Sequence, residues 1–270
     1  MKTGEPNKLA RTDTDSKLWE IFHENTKLTR FSPARSKSAL KAWLAKMRES
    51  TTFTGYPVVV LPKHHCPANM SLETAIGFRR STSDMKPISL RMGHLASILR
   101  LAYGITSYGA SSKSVSSRRA VPSAGALYPL ELFILSRQVT GLHPGLYHYN
   151  PSADNLRLIR KRIQYGTLNR SFLQSDIPSK SSILILITAM FERTTYKYFD
   201  RGYRHVLLEA GHAAQNINLT STALGLSSLN IGGFLDREID AFLGVDGVTH
   251  STLYIIAVGG KYHGNCSTRE

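Results

Sequence analysis

The sequence predicts an α+β fold, in which helices and strands alternate irregularly and not in the regular order of a doubly wound sheet. Continuous apolar runs predict buried strands at residues 182–190 and 251–260. Apolar and small residues at helical spacing predict a long helix over residues 205–224, which Gly225 ends. With 41% hydrophobic and 20% charged residues, the 270-residue chain can bury one sizeable core.

The N-terminal part of the chain is predicted to consist of short helices and loops. Apolar residues recur at helical spacing in residues 16–27 and 37–50, and prolines bracket a short extended segment at residues 57–62. We therefore expect a helical extension over residues 1–75, packed on one compact unit formed by residues 76–270.

Within the compact unit, the pattern of residues 88–104 predicts a helix with Ser89 as its N-cap and Gly104 as its stop. The Ser- and Gly-rich residues 105–119 predict a loop. Further strands are predicted at residues 130–136, 146–150 and 156–160, the last two as a hairpin.

The net charge of the chain is +15, from 34 basic and 19 acidic residues. From Arg79 to Arg119 eight basic residues face one acid, Asp84, so this stretch alone carries a charge of 8 − 1 = +7. Such a surface is either simply solvated or meets a nucleic acid, an acidic polypeptide or a phosphorylated cofactor. Few aromatic residues lie between the cations and no zinc-finger or RNP pattern is present, so nucleic acid is the disfavoured partner.

Several classes of protein do not fit the sequence. No apolar run approaches the ~20 residues of a membrane helix, and the N-terminal residues are polar without a secretory apolar region. Cys66 and Cys266 lack the spacing of a zinc site or disulfide framework, so we expect a reducing, cytoplasmic setting. No metal site is expected from the histidines, which lack paired helical spacing: His64, His65, His143, His148 and His212.

Common catalytic motifs are incomplete. Ser123 lacks the preceding glycine of a nucleophile elbow, and the Gly104–Gly109 pair lacks the Lys-Ser or Lys-Thr of a Walker loop. No G-x-G-x-x-G follows a predicted strand, so a Rossmann nicotinamide site is not expected.

Three stretches carry residues that suit a ligand. "FRRSTSD" (78–84) offers arginines and hydroxyls before a predicted helix, which suits a phosphate, although a solvated cap has the same pattern. "RRAVPSAGALYPLE" (118–131) would let a ligand approach its backbone, or is a tight loop. "KYFDRGYRH" (197–205) gathers donors between a strand and a helix; the alternative is a cap network in which Asp200 pairs with an arginine.

With "FHENTKL", "GLYHYNP", "LLEAGHAAQNINLTSTALGL" and "IGGF", these stretches resemble nitroreductase-like flavoproteins, and specifically the SagB-type dehydrogenases. The resemblance covers residues 22–260. It implies a nitroreductase-like α+β fold with an antiparallel or mixed sheet and flanking helices, and a homodimer with FMN at the subunit interface. It also implies oxidation of azolines to azoles in a ribosomally made precursor peptide, with cyclodehydratase subunits as partners and oxygen as the electron acceptor.

The resemblance assigns roles to individual residues. Lys197 and Tyr198 become the catalytic pair. Substrate contacts are assigned to the start of the long helix, at Arg201, Tyr203 and Arg204. FMN contacts are assigned to Arg79, Arg80, Ser81, Ser83, Pro122, Ser123, Gly125, Gly232, Gly233 and Lys261. Two positions depart from the pattern of many nitroreductases: Ser83 replaces a cation and Ala126 replaces an asparagine, and Arg118 and Arg119 could supply the missing contacts.

The expected chemistry needs a base, because an azoline loses a proton from carbon and a hydride to the flavin. Lys197 can act as that base if burial and the nearby Arg201 and Arg204 lower its pKa toward neutrality. Tyr198 would orient the ring or relay the proton. Two alternatives stay open: a stand-alone FMN reductase of nitro compounds or quinones with a nicotinamide donor, and a non-catalytic scaffold subunit.

Overall fold

The computed structural model describes residues 17–47, 50–63, 70–108 and 117–261. The chain divides into two compact units, residues 1–34 and 35–270. In the first unit the described residues form helix α1 (Leu18–Asn25), inside the helix predicted at 16–27. The predicted division at residue 75 stays a prediction. His64, His65, Cys66, Cys266 and half of the predicted 105–119 loop lie outside the described residues.

The second unit contains all the remaining elements. Its helices are α2 (Lys37–Lys46), α3 (Leu72–Phe78), α4 (Met92–Tyr103), α5 (Tyr165–Arg170), α6 (Ile177–Lys180), α7 (Glu192–Tyr198), α8 (Arg201–Ala223) and α9 (Asp236–Leu243), with a 3-10 turn at Ala124–Ala126. Its strands are β1 (Val58–Val60), β2 (Met85–Lys86), β3 (Leu90–Arg91), β4 (Ile105–Ser107), β5 (Arg118–Arg119), β6 (Leu130–Ser136), β7 (Val139–Thr140), β8 (Gly145–Asn150), β9 (Asn155–Arg160), β10 (Ile183–Met190), β11 (Leu226–Ile231) and β12 (His250–Lys261).

An eight-stranded antiparallel sheet organises this unit. Seven strands follow the order β1-β9-β8-β6-β10-β12-β11, and β2 pairs with the end of β12. In the central register Ile185 lies between Ile134 and Ile256. The predicted α+β class with an antiparallel sheet and flanking helices is therefore confirmed.

The two faces of the sheet bury separate cores, because side chains alternate along each strand. One face packs against α4 and α8 through residues such as Ile185 and Val206. The other face packs against α5, α6 and α9 through residues such as Leu186, Leu168 and Ile239. We refer to these as the α8 face and the α9 face.

Two predicted helices begin elsewhere. The helix expected over 88–104 starts at Met92, because Leu90 and Arg91 pair in parallel with β7, so Ser89 is not its N-cap; Gly104 does end it. The short helix α7 ends at Tyr198, and the long helix follows it directly, starting at Arg201 and not at His205. In the described residues no helix combines the length and apolarity needed to cross a bilayer.

The predicted strand 130–136, the 146–150/156–160 hairpin and the strands 182–190 and 251–260 are confirmed as β6, β8, β9, β10 and β12. The sequence did not indicate β11, α7 or α9. The sequence of β11, "LSSLNI", alternates polar and apolar residues only weakly. The strand forms by pairing with β12, and no local sequence pattern indicates this pairing.

Candidate functional site

The stretch "KYFDRGYRH" forms a corner between two helices. β10 leads into α7, whose last two residues are Lys197 and Tyr198. Phe199 adopts a φ of 51° and ends the helix, and α8 begins two residues later. Gly202 makes the corner possible, since a Cβ there would lie 2.8 Å from the Thr195 Cα. The stretch thus presents the side chains of Lys197 and Tyr198 at the end of a short helix.

Lys197 and Tyr198 converge on Gly125 in the 3-10 turn. A Cβ built on Gly125 would lie 2.7 Å from Lys197 Nζ and 2.8 Å from Tyr198 Oη. Gly125 is exposed and has a φ of 66°, which glycine adopts without strain. Lys197 Nζ lies 4.9 Å from the Tyr198 ring centre, and both side chains are half-buried. An amine, a phenol and an open backbone therefore meet at one surface point.

A buried hydrogen-bond network holds this turn from behind. Ser123 Oγ accepts a hydrogen bond from the Tyr128 backbone N–H (3.0 Å) and its hydroxyl bonds the Glu209 carboxylate. Tyr103 donates to Glu209 Oε1 (2.7 Å) and accepts from the Leu130 backbone N–H (3.0 Å). The network joins "PSAGALYPL" to "EAGH", two motifs that are far apart in sequence.

Burial, which leaves Glu209 only 2% exposed, raises its pKa to about 7. The hydrogen bonds from Ser123 and Tyr103 and the charge of Arg119 oppose this shift without cancelling it. Arg119 is itself 5% exposed, with its guanidinium 4.4 Å from the Tyr103 ring centre and 4.8 Å from that of Tyr128. Arg119 thus belongs to the interior, and its suggested contact with the cofactor stays a prediction.

The start of α7 is anchored by a buried ion cluster. Glu131 Oε1 lies 2.7 Å from Arg193 Nη2, and Glu131 Oε2 lies 2.6 Å from His148 Nε2. The Thr51 backbone N–H also donates to this carboxylate (2.8 Å). Burial opposes ionisation of Glu131, but the hydrogen bond and charge of His148 and the charge of Arg193 outweigh it and hold its pKa well below the usual range. His148 is therefore part of a core cluster.

The outer side of α7 is braced by residues before the predicted compact unit. Trp43 of α2 stacks on Tyr196 with ring centres 4.6 Å apart. The Arg35 guanidinium lies over Tyr196 and Phe199, and Arg35 Nε donates to the Tyr196 carbonyl (3.1 Å). These contacts fix the end of α7 and with it the backbone of Lys197.

The predicted substrate contacts occupy the first turn of α8. Tyr203 is exposed and its ring centre lies 5.3 Å from that of Phe191, while Arg201 and Arg204 are half-buried. Burial and the charge of Arg201 lower the pKa of His205, whose ring contacts Tyr198 at 5.1 Å. This turn therefore lies beside the Lys197–Tyr198 pair.

The predicted phosphate contacts lie elsewhere, in a loop after α3. Arg79 is the C-cap residue of α3, so the loop follows the end of a helix and does not precede the start of one. The prediction that a helix dipole stabilises a phosphate at this loop is therefore wrong. Arg79 Nη1 donates to Ser81 Oγ (3.3 Å). Arg80 donates to the carbonyls of Gly77 (2.7 Å) and Arg79 (2.9 Å), while Ser83 is exposed.

Sheet pairing brings other predicted FMN residues toward this loop. Lys261 pairs with Met85, and Arg80 and Lys261 line one cleft of about 280 Å³. Ser81 bridges to Ser228 on β11. Gly232 follows that strand, four residues beyond Ser228, or about 13 Å at 3.3 Å per residue.

Gly232 borders open space, since a Cβ there would meet nothing within 4 Å, whereas a Cβ on Gly233 would lie 3.1 Å from Leu173 Cδ1. Pro122, also predicted to contact FMN, is exposed beside Ser123.

The predicted site residues therefore form two groups. The first group is Ser123, Gly125, Lys197 and Tyr198, behind which Glu209 lies in the first half of α8. The second is Arg79, Ser81 and Lys261, and the cleft that Lys261 lines also contains Thr222 at the end of α8. Glu209 and Thr222 are thirteen residues apart, which is about 20 Å along a helix at 1.5 Å per residue. In the described part of the chain no cluster of three metal-ligating side chains occurs.

Residues 76–260 match the nitroreductase family. The chain belongs to this family. The nitroreductase-like protein MJ1384 of Methanocaldococcus jannaschii is 36% identical over 175 residues, which cover 64% of this chain and 84% of MJ1384. The nitroreductase-family fold thus accounts for most of the second unit.

Two further relatives are peptide-processing proteins. The microcin B17-processing protein McbC of Escherichia coli is 31% identical over 157 residues, or 56% of this chain and 57% of McbC. The trifolitoxin-processing protein TfxB of Rhizobium leguminosarum is 27% identical over 149 residues, or 52% of this chain and 39% of TfxB. The aligned region thus spans about half of McbC and less than half of TfxB.

Solved structures share the fold of this nitroreductase-family chain. A nitroreductase-like protein from Anabaena variabilis superposes with a TM-score of 0.71 at 25% identity, covering 90% of this chain and 47% of that one. A chain of the E. coli microcin synthetase McbBCD complex, with truncated pro-MccB17 bound, superposes with a TM-score of 0.55 at 24% identity, covering 90% of this chain and 92% of that one. The family match and the similarity to McbC and TfxB support an oxidoreductase related to microcin B17- and trifolitoxin-processing proteins.

Sequence reasoning missed the buried network of Glu209, Tyr103 and Arg119. A signal was available at Glu209, an acid one position before Ala210 on the predicted apolar face of the long helix. Its partners could not be identified in the same way, since Tyr103 comes from a different helix that only the sheet topology brings near.

Proposed function

We propose that this chain is an FMN-dependent dehydrogenase that oxidises azoline rings to azoles in a ribosomally made peptide, as a subunit of a peptide-modifying synthetase. The observation that carries the proposal is the convergence of Lys197 Nζ and Tyr198 Oη on the exposed Gly125. Reduction of nitro compounds or quinones needs no base at carbon, whereas azoline oxidation does. Similarity to McbC and TfxB supports a peptide substrate and synthetase partners.

The residues present are compatible with FMN. Gly232 leaves backbone that a flat ring can approach, because no side chain covers it, and the missing Cβ of Gly125 leaves room for Lys197 and Tyr198 to reach the turn. Arg79 and Ser81 are in hydrogen-bond contact and provide donors for a phosphate. The ~13 Å between Ser81 and Gly232 along β11 suits the span from phosphate to ring system. Bound FMN would supply the hydride acceptor, and oxygen would regenerate it.

The side chains of this chain would supply proton transfer and orientation. Lys197 Nζ, in its neutral form, takes the proton from the ring carbon as the C–H bond breaks. Tyr198 Oη, beside it, donates a hydrogen bond to the azoline and fixes its position. Because Gly125 has no Cβ, both groups can lie against the turn. Arg201, Tyr203 and Arg204, on the adjacent turn of α8, would contact the flanking peptide.

We further propose a homodimer. Glu209, behind the first group, and Thr222, in the cleft that Lys261 lines, lie about 20 Å apart along α8, so one FMN reaches both groups more readily if each comes from a different copy. α8 also exposes large apolar side chains, with Leu207 43% and Leu208 61% exposed. An exposed apolar face on a central helix suits an interface between copies.

The decisive experiment compares Lys197→Ala and Tyr198→Phe with the wild-type protein, using a peptide that carries azolines. We expect FMN to stay bound and azoline oxidation to fall by at least about a hundredfold, because a positioned base contributes about 10²–10⁴-fold. Mass spectrometry would count the two hydrogens lost per ring, normalised to bound FMN.

Lys161→Ala, which changes an exposed lysine directly after β9, is the control variant and should be fully active. If Lys197→Ala keeps its flavin and the wild-type rate, the catalytic assignment is wrong. A colourless wild-type protein would favour a scaffold subunit, and turnover of nitro compounds with a nicotinamide donor but not of azolines would favour a stand-alone reductase.

A further inference from the structure

A second large cleft lies on the α9 face, away from the Lys197–Tyr198 pair. It has a volume of about 790 Å³ and is formed by the end of β9, the loop after it, α5 and α9. Leu168 belongs to the core of the α9 face, whereas Phe191 and Val206, which lie near the catalytic pair, belong to the α8 face. The sheet therefore separates this cleft from the proposed active site.

The cleft combines a basic rim with an apolar floor. We call it the arginine cleft; its rim carries Arg160, Arg162 and Arg170, and its floor is formed by Ile163, Leu168 and Phe242. All three arginines are exposed, and none makes an ion pair with a residue in the described part of the chain. The rim therefore carries three positive charges against a single carboxylate that lines the same cleft, Glu238.

The one carboxylate of the cleft lining, Glu238, is held in place by a hydrogen bond. Glu238 accepts a hydrogen bond from Ser171 Oγ (2.6 Å) and forms no ion pair with the three described arginines of the rim. The Arg160 guanidinium lies 5.1 Å from the Phe242 ring centre, which holds it over the floor. Guanidinium groups fixed around a concave apolar surface bind carboxylates or phosphates in a fork geometry.

The shape and chemistry favour a polypeptide over a nucleic acid. Single-stranded nucleic acid binds largely by stacking bases on free aromatic faces. Here the aromatic ring of the cleft, Phe242, is covered by Arg160. The remaining floor is aliphatic, and a volume of about 790 Å³ lies in the 300–1,000 Å³ range of ordinary ligand sites.

We propose that the arginine cleft binds an acidic segment of a partner polypeptide, with carboxylates on the three arginines and an apolar side chain on the floor. This surface lies outside the proposed active site and does not depend on the reaction catalysed there. In this proposal, three of the positive charges that make up the +15 net charge of the chain bind a partner during assembly.

Fluorescence anisotropy tests the proposal with a labelled probe peptide, Glu-Glu-Leu-Phe-Glu-Glu. The double variant Arg162→Glu/Arg170→Glu should bind it at least about tenfold more weakly, since each rim arginine makes a charge-assisted bond. Lys161→Glu is the matched control: it reverses one charge between Arg160 and Arg162 on an exposed residue that does not line the cleft. It should change the affinity by less than about threefold.

Two further measurements separate site binding from general attraction. A Gln-Gln-Leu-Phe-Gln-Gln probe should bind poorly, and Phe242→Ala should weaken binding of the acidic probe without changing any charge. Equal losses for Lys161→Glu and the double variant would overturn the proposal, as would equal affinity for the two probes. Tighter binding of an oligothymidylate that the double variant abolishes would replace it with a nucleic-acid site. Circular dichroism of each variant confirms that the fold is kept.

Discussion

Tyr103 and Glu209, from two helices that pack side by side, share a 2.7 Å hydrogen bond deep in the α8 face. Both side chains are almost fully buried, and burial is the main reason that each has a raised pKa. The same carboxyl group bonds Ser123, two residues before the glycine that Lys197 and Tyr198 approach. The interior of α8 is thereby connected to the surface turn.

Replacing Glu209 with glutamine should remove a pH-dependent loss of stability. The pKa of Glu209 is raised from 4.5 to about 7, so between these values the unfolded chain ionises while the folded carboxyl stays protonated. The free energy of unfolding of the wild type therefore falls as pH rises through this range, by roughly 3 kcal/mol in all. Below pH 4.5 the group contributes no such difference, since it is protonated in both states.

Denaturant unfolding of the wild type and Glu209→Gln at pH 5, 6, 7 and 8 measures this. The difference between the two proteins should change in favour of the variant as the pH rises and should level off above pH 7, because other titrating groups cancel in the difference. A difference that stays constant across this range would mean that Glu209 ionises normally.

Adding one methyl group at Gly125 should impair the reaction more than the fold. The new Cβ would meet Lys197 Nζ at 2.7 Å and Tyr198 Oη at 2.8 Å, which are the free ends of flexible side chains and can move away. Gly141→Ala is the matched control, since Gly141 also has a positive φ (80°) but its Cβ would meet nothing within 4 Å.

Both alanine variants should lose similar stability, about 1–2 kcal/mol from the left-handed backbone. Only Gly125→Ala should slow azoline oxidation, by about a hundredfold, since misplacement of reacting groups by an ångström has effects of this size. Thermal unfolding and the mass-based assay report the two effects separately. Equal rates for the two variants would show that the Lys197–Tyr198 geometry does not matter.

The sequence predicts the strands of the central sheet well because β6, β10 and β12 are buried on both faces and are therefore continuous apolar runs. It predicts the start of helices poorly. The apolar spacing that includes Leu90 continues into α4 and therefore predicts a helix. In the structure Leu90 and Arg91 instead pair with β7, a strand from elsewhere in the chain.

Site prediction has the same limit. The motif around Lys197 and the motif around Gly125 are visible as separate segments, and only the tertiary structure shows that they meet. Arg79 follows a helix and does not precede one. The helix before it, α3, is only seven residues long, and periodicity alone does not distinguish so short a helix from a loop.

Arg79→Ala and Ser81→Ala should each weaken FMN binding. Each removes a donor from the proposed phosphate contact, and a hydrogen bond to a charged group contributes about 1.5–3 kcal/mol. Arg237→Ala, an exposed arginine of α9, is the control and should bind FMN as the wild type does. Flavin fluorescence titration measures the affinities. Unchanged affinity in both variants would place the phosphate elsewhere.

Disrupting the exposed face of α8 should separate the proposed dimer. Leu208 is 61% exposed, and Leu208→Asp introduces a charge that an apolar interface would have to bury unpaired. Val248→Asp, at a position 77% exposed in the loop after α9, adds the same charge away from α8. Light scattering should give a monomer for the first variant and a dimer for the second. A wild-type protein that is monomeric with FMN bound would contradict the interface.

The last prediction tests whether the two groups of site residues come from different copies. Lys197→Ala damages the catalytic group and leaves the phosphate group intact, and Arg79→Ala does the reverse. If each site combines the two groups across the dimer, a mixed dimer of these variants has one site with both groups intact and one with both damaged.

Co-expressed with different tags, the two inactive variants should therefore regain roughly a quarter of the wild-type activity, because about half of randomly formed dimers are mixed and one of their two sites is intact. If both groups of a site belong to one copy, every site in the mixture carries one lesion and no activity returns. Glu209 and Thr222, one beside each group, lie ~20 Å apart along α8, which favours the first outcome, since a single copy would have to present one flavin to both ends of that helix. The doubly tagged, purified mixed dimer, in which one of the two sites is intact, should show roughly half of the wild-type azoline oxidation, and comparison with each variant alone distinguishes the two arrangements directly.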